Sequence, residues 1–428
     1  MSVASPTAAA TAPVLTRSRA LYGLGILTLI NLFNYLDRYL IAGMLPSVSE
    51  DFQLDGTRQG LLATVFIVVY MIASPLGGYL GDRVPRRLLV AGSVLLWSLA
   101  TVASGLASSY STLLIARAIV GIGEAGYGAA APAIIADLFP REKRSTMLSV
   151  FYLAIPVGAG AGYALGGWLS AAYSWHTAFF VGGIPGILLA VGMVAAPEPR
   201  RGGTEQEAGP EKLPFAVGIR QLLRNRMFWF NTTGYTLMTF SIGGLSFWFP
   251  TFLEVERHQD RTAVGFTFGA ITVVGGIVGT LIGGWLGDKA ENRRQGGGMW
   301  VSGIGLVLAT PFMYFGAVAQ APNVIYGITL FALVLLFLNT GPINAAILNC
   351  VTPAFRAFAM GMNVLLIHLL GDALSPTAIG MIKDATSLST AIILNAVPVL
   401  LGGLVLLVGA ASSRRRASAP PAASAPSA

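Results

Sequence analysis

The chain has 428 residues, 54% of them hydrophobic and only 11% charged, where an ordinary soluble domain carries roughly 25% charged residues. So few charges cannot cover a water-exposed surface, and with a mean hydropathy of +0.69 the composition excludes a soluble globular protein. At about 20 apolar residues per membrane crossing, the chain has room for twelve spans and little else.

Residues 1–19 are polar and rich in Ala, Thr, Ser and Pro. They show no cleavable signal and are expected to be disordered and cytoplasmic. Apolar stretches follow near 21–46, 58–80, 87–107, 110–136, 145–171 and 176–196, and again near 227–254, 263–287, 298–319, 323–350, 356–382 and 388–411. They are numbered spans 1 to 12. Between the two sets, residues 197–226 are rich in Pro, Gly and charge and form the expected linker. The reading is an all-α membrane protein: one six-helix bundle over 20–196, a cytoplasmic linker over 197–226, a second bundle over 227–411, and a disordered cytoplasmic tail over 412–428.

The net charge of +8 would suit a nucleic-acid partner, but placement argues otherwise. All of the 27 basic residues except Arg38, Arg58, Arg117, Arg257, Arg261 and Lys383 fall on one side if span 1 runs outward. That asymmetry is the positive-inside pattern, with both termini cytoplasmic, and predicts an inner (plasma) membrane protein with no nucleic-acid partner. The single cysteine, Cys350, excludes an intrachain disulfide or a cysteine metal cage.

The halves repeat. GGYLGD at residues 77–82 closes span 2 and GGWLGD at residues 283–288 closes span 8, with basic residues after both. Such duplication signals two related bundles with a binding site between them. Gly158, Gly162 and Gly166 stripe span 5, and Gly275, Gly279 and Gly283 stripe span 8. Small residues at this spacing let backbones approach closely. The stripes serve either packing inside each half or a surface on which the halves rock, and the second is the expectation.

The chemistry should lie in ionisable groups placed within hydrocarbon, each expensive unless paired or facing water. They are Asp37 and Arg38 in span 1, Arg117 and Glu124 in span 4, and His368 and Asp372 in span 11. At 1.5 Å per residue Asp37 and Arg117 lie level, roughly 10–12 Å below the outer surface, so they can pair. Glu124 lies about 10 Å deeper on the same face as Arg117. Asp37, Glu124, Arg117 and His368 are the candidate proton-coupling groups; buried structural ion pairs are the alternative. Arg38 projects ~100° away from Asp37 and is the candidate for an anionic head group. His368 and Asp372 could relay a proton or simply hydrogen-bond within the bundle. Asp82, Arg83, Arg87, Asp137 and Asp288, at the cytoplasmic span ends, are candidate gating residues. No Walker phosphate loop or zinc motif occurs, so no cofactor, no metal and no enzymatic role are expected, with protons as the coupling ion.

GYLGDR with Arg86 and Arg87 resembles the loop between spans 2 and 3 of the major facilitator superfamily. Arg117 with Gly121 and Gly123 resembles its span-4 motif. NLFNYLDRYLIAGMLP (31–46), RAIVGIGEAGYGAAAPAIIADLF (117–139), SVFYLAIPVGAGAGY (149–163), FGAIT (268–272) and HLLGDALSP (368–376) are similar to the Spinster family of lysolipid and sphingosine-phosphate transporters. The resemblance implies proton coupling through Asp37 and Glu124, a head-group role for Arg38, and substrate contacts from Glu124, Tyr235, Thr236, Phe240 and Trp248. It implies a monomer whose partners are an amphiphilic lysolipid-like substrate and membrane lipids. Two rivals stay open, a sugar-acid/proton symporter of the same superfamily and a non-transporting membrane receptor.

Overall fold

In a membrane every backbone polar group must find an internal partner, which leaves helices as the spanning element for a sequence like this. The computed structural model describes residues 16–54, 56–203, 214–259 and 261–417, and the long elements among them are all helical. Eleven helices are long and apolar enough to cross, and span 7 makes a twelfth as a pair, 226–246 and 248–255, bent by 40°.

Spans 1 to 4 are Arg17–Phe52, Gly56–Gly81, Arg86–Gly105 and Tyr110–Leu138, and span 6 is Trp175–Val194. Spans 7, 8 and 9 are Arg226–Val255, Arg261–Arg293 and Gly297–Val318. The remaining four are broken: span 5 into Arg144–Tyr152 and Ala154–Ala172, span 10 into Pro322–Phe337 and Thr340–Asn349, span 11 into Arg356–Ile367 and Ser375–Ala385, and span 12 into Leu388–Leu394 and Ala396–Ala417. Proline explains each break. It lacks an N–H and clashes with the carbonyl four residues back, and Pro156, Pro342, Pro376 and Pro398 each follow their break within four residues. In span 11 the break is a π turn at His368–Asp372, with Gly371 in a non-helical conformation (φ −103°, ψ −107°).

Spans 6 and 12 also start alike. Ser174 and Ser387 each cap their helix by accepting from the amide three residues on, Thr177 and Thr390. This second internal echo, SWHT and SLST, is legible in the sequence and escapes the motif reading above.

The bundles pack as the repeat implies. Spans 1, 5 and 6 and spans 2, 3 and 4 interlock in the first half, as do spans 7, 9 and 12 and spans 8, 9 and 10 in the second. The halves meet where span 2 lies on span 11 and span 5 lies on span 8. Two expectations about the terminal segments need correction: residues 17–19 are already helical and span 12 continues to Ala417. The linker carries a helix, Phe215–Arg224. Residues 1–15, 204–213 and 418–428 lie outside the described residues, and with them most of the disorder expected at the two termini.

The glycine stripes are a further correction. A methyl added at Gly158, Gly162 or Gly166 would meet the carbonyls of Leu32, Leu36 or Leu40 in span 1. At Gly275, Gly279 and Gly283 it would meet Leu333, Val334 and Leu338 in span 10. Both stripes therefore pack within their own half and not on a sliding surface. The contact between halves uses the next glycine: Gly78 lies against Ala357 of span 11, and Gly284 against Thr146 and Ser149 of span 5. The paired Gly-Gly thus has one glycine facing inward and one facing the other half. Gly162→Val, whose Cβ would sit 2.4 Å from the Leu36 oxygen, is expected to cost about 1–3 kcal/mol by overpacking. Gly25→Ala, with nothing within 4 Å, should leave the melting temperature unchanged.

Candidate functional site

Span 1 turns two adjacent charges toward different depths of span 4. Arg117 Nη1 lies 3.8 Å from Asp37 Oδ1, both side chains 1% exposed, and Thr101 donates to Asp37 Oδ2 at 2.8 Å. Arg38 Nε donates to Glu124 Oε2 at 2.6 Å. The Asp37–Arg117 pair forms as its matching depth requires. Its separation exceeds hydrogen-bonding distance, so charge holds it and not a directed bond. Arg38 has a partner the sequence reading did not provide, because a turn of span 1 carries it to Glu124. The Arg38 guanidinium is caged by the rings of Tyr35, Phe66 and Tyr70 at 4.9, 5.1 and 4.5 Å. Glu124 is fully buried and its second oxygen, Oε1, has no hydrogen-bond partner.

These pairs border a cavity of about 570 Å³ between the halves. Call the end of the bundle where span 1 begins proximal and the other distal; the lining residues occupy the middle and distal parts of their spans. Spans 1, 4 and 11 contribute Arg38, Arg117, His368 and Asp372, while spans 7 to 10 contribute apolar residues such as Leu245, Phe249, Phe268 and Leu333. Tyr235, Thr236 and Phe240 are not on the wall, a second correction to the site. Span 7 reaches the cavity further along, through Ile242, Leu245, Ser246 and Phe249. Thr236 and Phe240 instead back the π turn, their main chains 3.2 and 3.3 Å from where a Gly371 side chain would begin. Trp248 donates to the Pro376 carbonyl at 2.8 Å, which ties span 7 to span 11. Glu124 is also off the wall, behind Arg38. His368 Nδ1 lies 3.0 Å from both oxygens of Asp372. An ionised carboxylate only accepts, so Nδ1 is the donor of this pair wherever Asp372 is ionised.

At the proximal end the halves are sealed by charge. Arg86 bonds Asp82 at 2.7 Å and Asp137 at 2.5 Å, and Asp137 bonds Arg356 of span 11 at 2.6 Å. Asp82 caps span 11 by accepting from the Phe358 and Ala357 amides at 2.8 and 3.3 Å. Asp288 caps span 5 in the same way, through Ser145 and Thr146 at 2.9 and 3.0 Å. Carboxylates at helix N-termini satisfy orphan amides and complement the helix dipole, so each half plugs a helix of the other. Arg144 donates to the Asn349 side chain just as Arg356 donates to Asp137. The sequence carries this echo in equal spacings, Asp137 to Arg144 and Asn349 to Arg356.

Of the expected gating set, Asp82, Asp137 and Asp288 sit in this layer. The Arg83 guanidinium lies over the Tyr79 ring at 4.3 Å, and Arg87 enters only through its amide, which donates to Glu198 at 2.8 Å. Arg86, one turn after Asp82, points back at it and is the buried cation. Arg86, Arg144, Asn349 and Arg356 were missed because a charge at a span end reads as solvated until its partner from the other half is known. The linker joins the seal as well: Gly202, with φ +68°, donates its amide to Asp137 at 3.0 Å.

The Major Facilitator Superfamily profile matches residues 27–376. Protein spinster of Drosophila melanogaster is 35% identical over 370 residues, which are 84% of this chain and 61% of the fly protein. Protein spinster homolog 3 of Danio rerio is 36% identical over 394 residues, 87% of this chain and 78% of that protein. The chain belongs to the Spinster family. In fold it is similar to the crystal structure of a bacterial homolog to the human lysosomal transporter Spinster, with a TM-score of 0.65 and 23% identity, covering 94% of this chain and 99% of that one. The Spinster chain described here is thus a multi-pass membrane transporter of the major facilitator type, and it spans less than two thirds of the fly relative's length.

Proposed function

We propose that this Spinster chain is a proton-coupled transporter of a lysophospholipid or sphingosine-phosphate-like amphiphile, working by alternating access. The observation that carries the reading is the two-sided cavity, charged on the wall formed by spans 1, 4 and 11 and apolar on the wall formed by spans 7 to 10. A head group with a long acyl chain matches such a wall, whereas a compact sugar acid would leave the apolar side uncovered.

The coupling step runs through Glu124. A proton taken up at the unpartnered Oε1 removes the charge that holds Arg38, and a buried arginine without its counter-ion is costly. Arg38 then turns its remaining donors to the phosphate of the substrate, bidentately. The Glu124 carboxylate and the substrate phosphate thereby exchange places as the partner of one guanidinium, and the proton stays on Glu124. Asp37 and Arg117 set the field beside it, and the Asp37 oxygen without a hydrogen bond is a second proton acceptor. The chain acts as a carrier without cofactor or metal, as a monomer. With the basic residues cytoplasmic, the sealed proximal end faces the cytoplasm of an inner membrane and the cavity belongs to an outward-facing state.

The test is reconstitution into liposomes with an imposed pH gradient. Labelled lysophosphatidylcholine should accumulate with the gradient and labelled hexuronate should not. Hexuronate uptake without lysolipid transport would replace this reading with the sugar-acid symporter. Binding with no movement under any gradient would leave a receptor.

A further inference from the structure

The linker between the halves is bonded to both of them. Its first described part, up to residue 203, is a fixture of the first half. Glu198 accepts from the Arg86 and Arg87 amides at 2.9 and 2.8 Å. It thereby caps span 3, whose own N-cap residue, Pro85, provides no side-chain bond. Arg201 donates to the Gly81 and Val84 carbonyls at 3.1 and 2.9 Å, which closes the end of span 2. The linker helix Phe215–Arg224 is a fixture of the second half. Gly218 lies on the Phe355 ring, 2.6 Å from where a methyl would sit. Asn225 caps span 7 by accepting from the Met227 and Phe228 amides at 3.0 and 3.2 Å, and it donates to the Cys350 carbonyl at 2.7 Å.

Each piece then reaches the other half. The Phe215 ring stands edge-on to Phe358 of span 11 at 5.2 Å and edge-on to Tyr79 of span 2, also at 5.2 Å. Arg83, outside the ionic layer, lies over the same Tyr79 ring at 4.3 Å and fixes its position. Gly202, bonded to Asp137 at 3.0 Å, lies against Pro353 in the turn that leads into span 11. A methyl on it would lie 2.8 Å from the Pro353 Cγ.

We propose that the linker is a clasp on the proximal gate, closed by Phe215 on Tyr79 of the first half and by Gly202 on Pro353 of the second. The inference rests on the alternating-access reading and adds a part to its gate. When the halves separate, Glu198 and Arg201 stay with the first half and Phe215 with the second, because their other contacts lie within one half. The contacts that must break are Phe215 with Tyr79 and Gly202 with Pro353. An edge-on aromatic pair is favourable beyond the area it buries, so the first contact favours the sealed state. The second admits no larger residue without overpacking. The clasp thus adds to the ionic layer of Arg86, Asp137 and Arg356 a contact that does not depend on charge.

The experiment measures the distance between the halves in the purified full chain without substrate. Spin labels go on Val84→Cys of the first half and Lys289→Cys of the second, both exposed at the proximal end, in a Cys350→Ser background. Pulsed dipolar spectroscopy then gives the ratio of separated to sealed molecules. Phe215→Ala should raise that ratio by about threefold to tenfold, the scale of one aromatic pair. Gly202→Ala, which leaves the linker helix untouched, should raise it by about fivefold or more. Leu223→Ala, on the outer face of the same helix and 61% exposed, should leave it unchanged. An unchanged ratio in both Phe215→Ala and Gly202→Ala would overturn the clasp, even if both variants melt at lower temperature, because the linker would then only pack. If no lysolipid is transported in liposomes but the ratio shifts as stated, the substrate reading falls and the clasp stands.

Discussion

Replacing Asp137 with asparagine is expected to unseal the proximal end of the bundle. Asp137 is shared by Arg86 of its own half and Arg356 of the other, at 2.5 and 2.6 Å, and all three side chains are at most 1% exposed. Removing one partner of a buried ion pair costs about 3–5 kcal/mol, because the remaining charge stays desolvated. Here the variant leaves two arginines short of charge. The cost falls mainly on the sealed state, because Arg356 regains water when the halves part. A bias of about 3 kcal/mol moves a two-state equilibrium by more than 100-fold. Cys350, the one cysteine, is the reporter. It adjoins Asn349, which Arg144 holds across the seal. Its thiol is half-buried and donates to the Ile347 carbonyl at 3.1 Å, which slows its labelling while the seal is closed. Maleimide labelling of Cys350 should rise by at least about tenfold in Asp137→Asn, in a protein that still folds. An unchanged rate would show that the layer is not a gate.

Glu124→Gln is expected to separate binding from coupling. The amide keeps the shape and can still accept from Arg38, but it carries neither charge nor exchangeable proton. Gradient-driven accumulation in liposomes should fall by at least about tenfold, the scale of a lost charge-assisted contact. Exchange of labelled for unlabelled substrate should stay within about threefold and lose its dependence on pH. Accumulation that still follows the gradient would remove Glu124 from the coupling path. Arg38→Ala should instead weaken folding, since it strands Glu124, which is 0% exposed, in hydrocarbon, at about 3–5 kcal/mol.

Twelve crossings, two halves and the membrane charges were readable from the chain because they are local properties. Hydropathy, proline, glycine and the alternation of basic segments act over one turn or one span. The depth match of Asp37 with Arg117 was also readable, since helical rise converts residue number into height. What one sequence could not assign is which faces meet. The Gly162 and Gly279 stripes looked the same whether they served one half or both, and only the packing of span 5 on span 1 and span 8 on span 10 decided it. Arg38 could be placed on a helix but not beside Glu124. The repeat named Asp82 and Asp288, yet only the meeting of the halves set them on the N-termini of spans 11 and 5 and brought Arg356 to Asp137. Tyr235, Thr236 and Phe240 failed for the same reason, because a span's composition does not tell which of its faces turns to the cavity. The sequence by itself determined what each helix is and how deep its charges lie. The tertiary structure alone decided their partners, because rotation about a helix axis is set by side chains arriving from elsewhere in the chain.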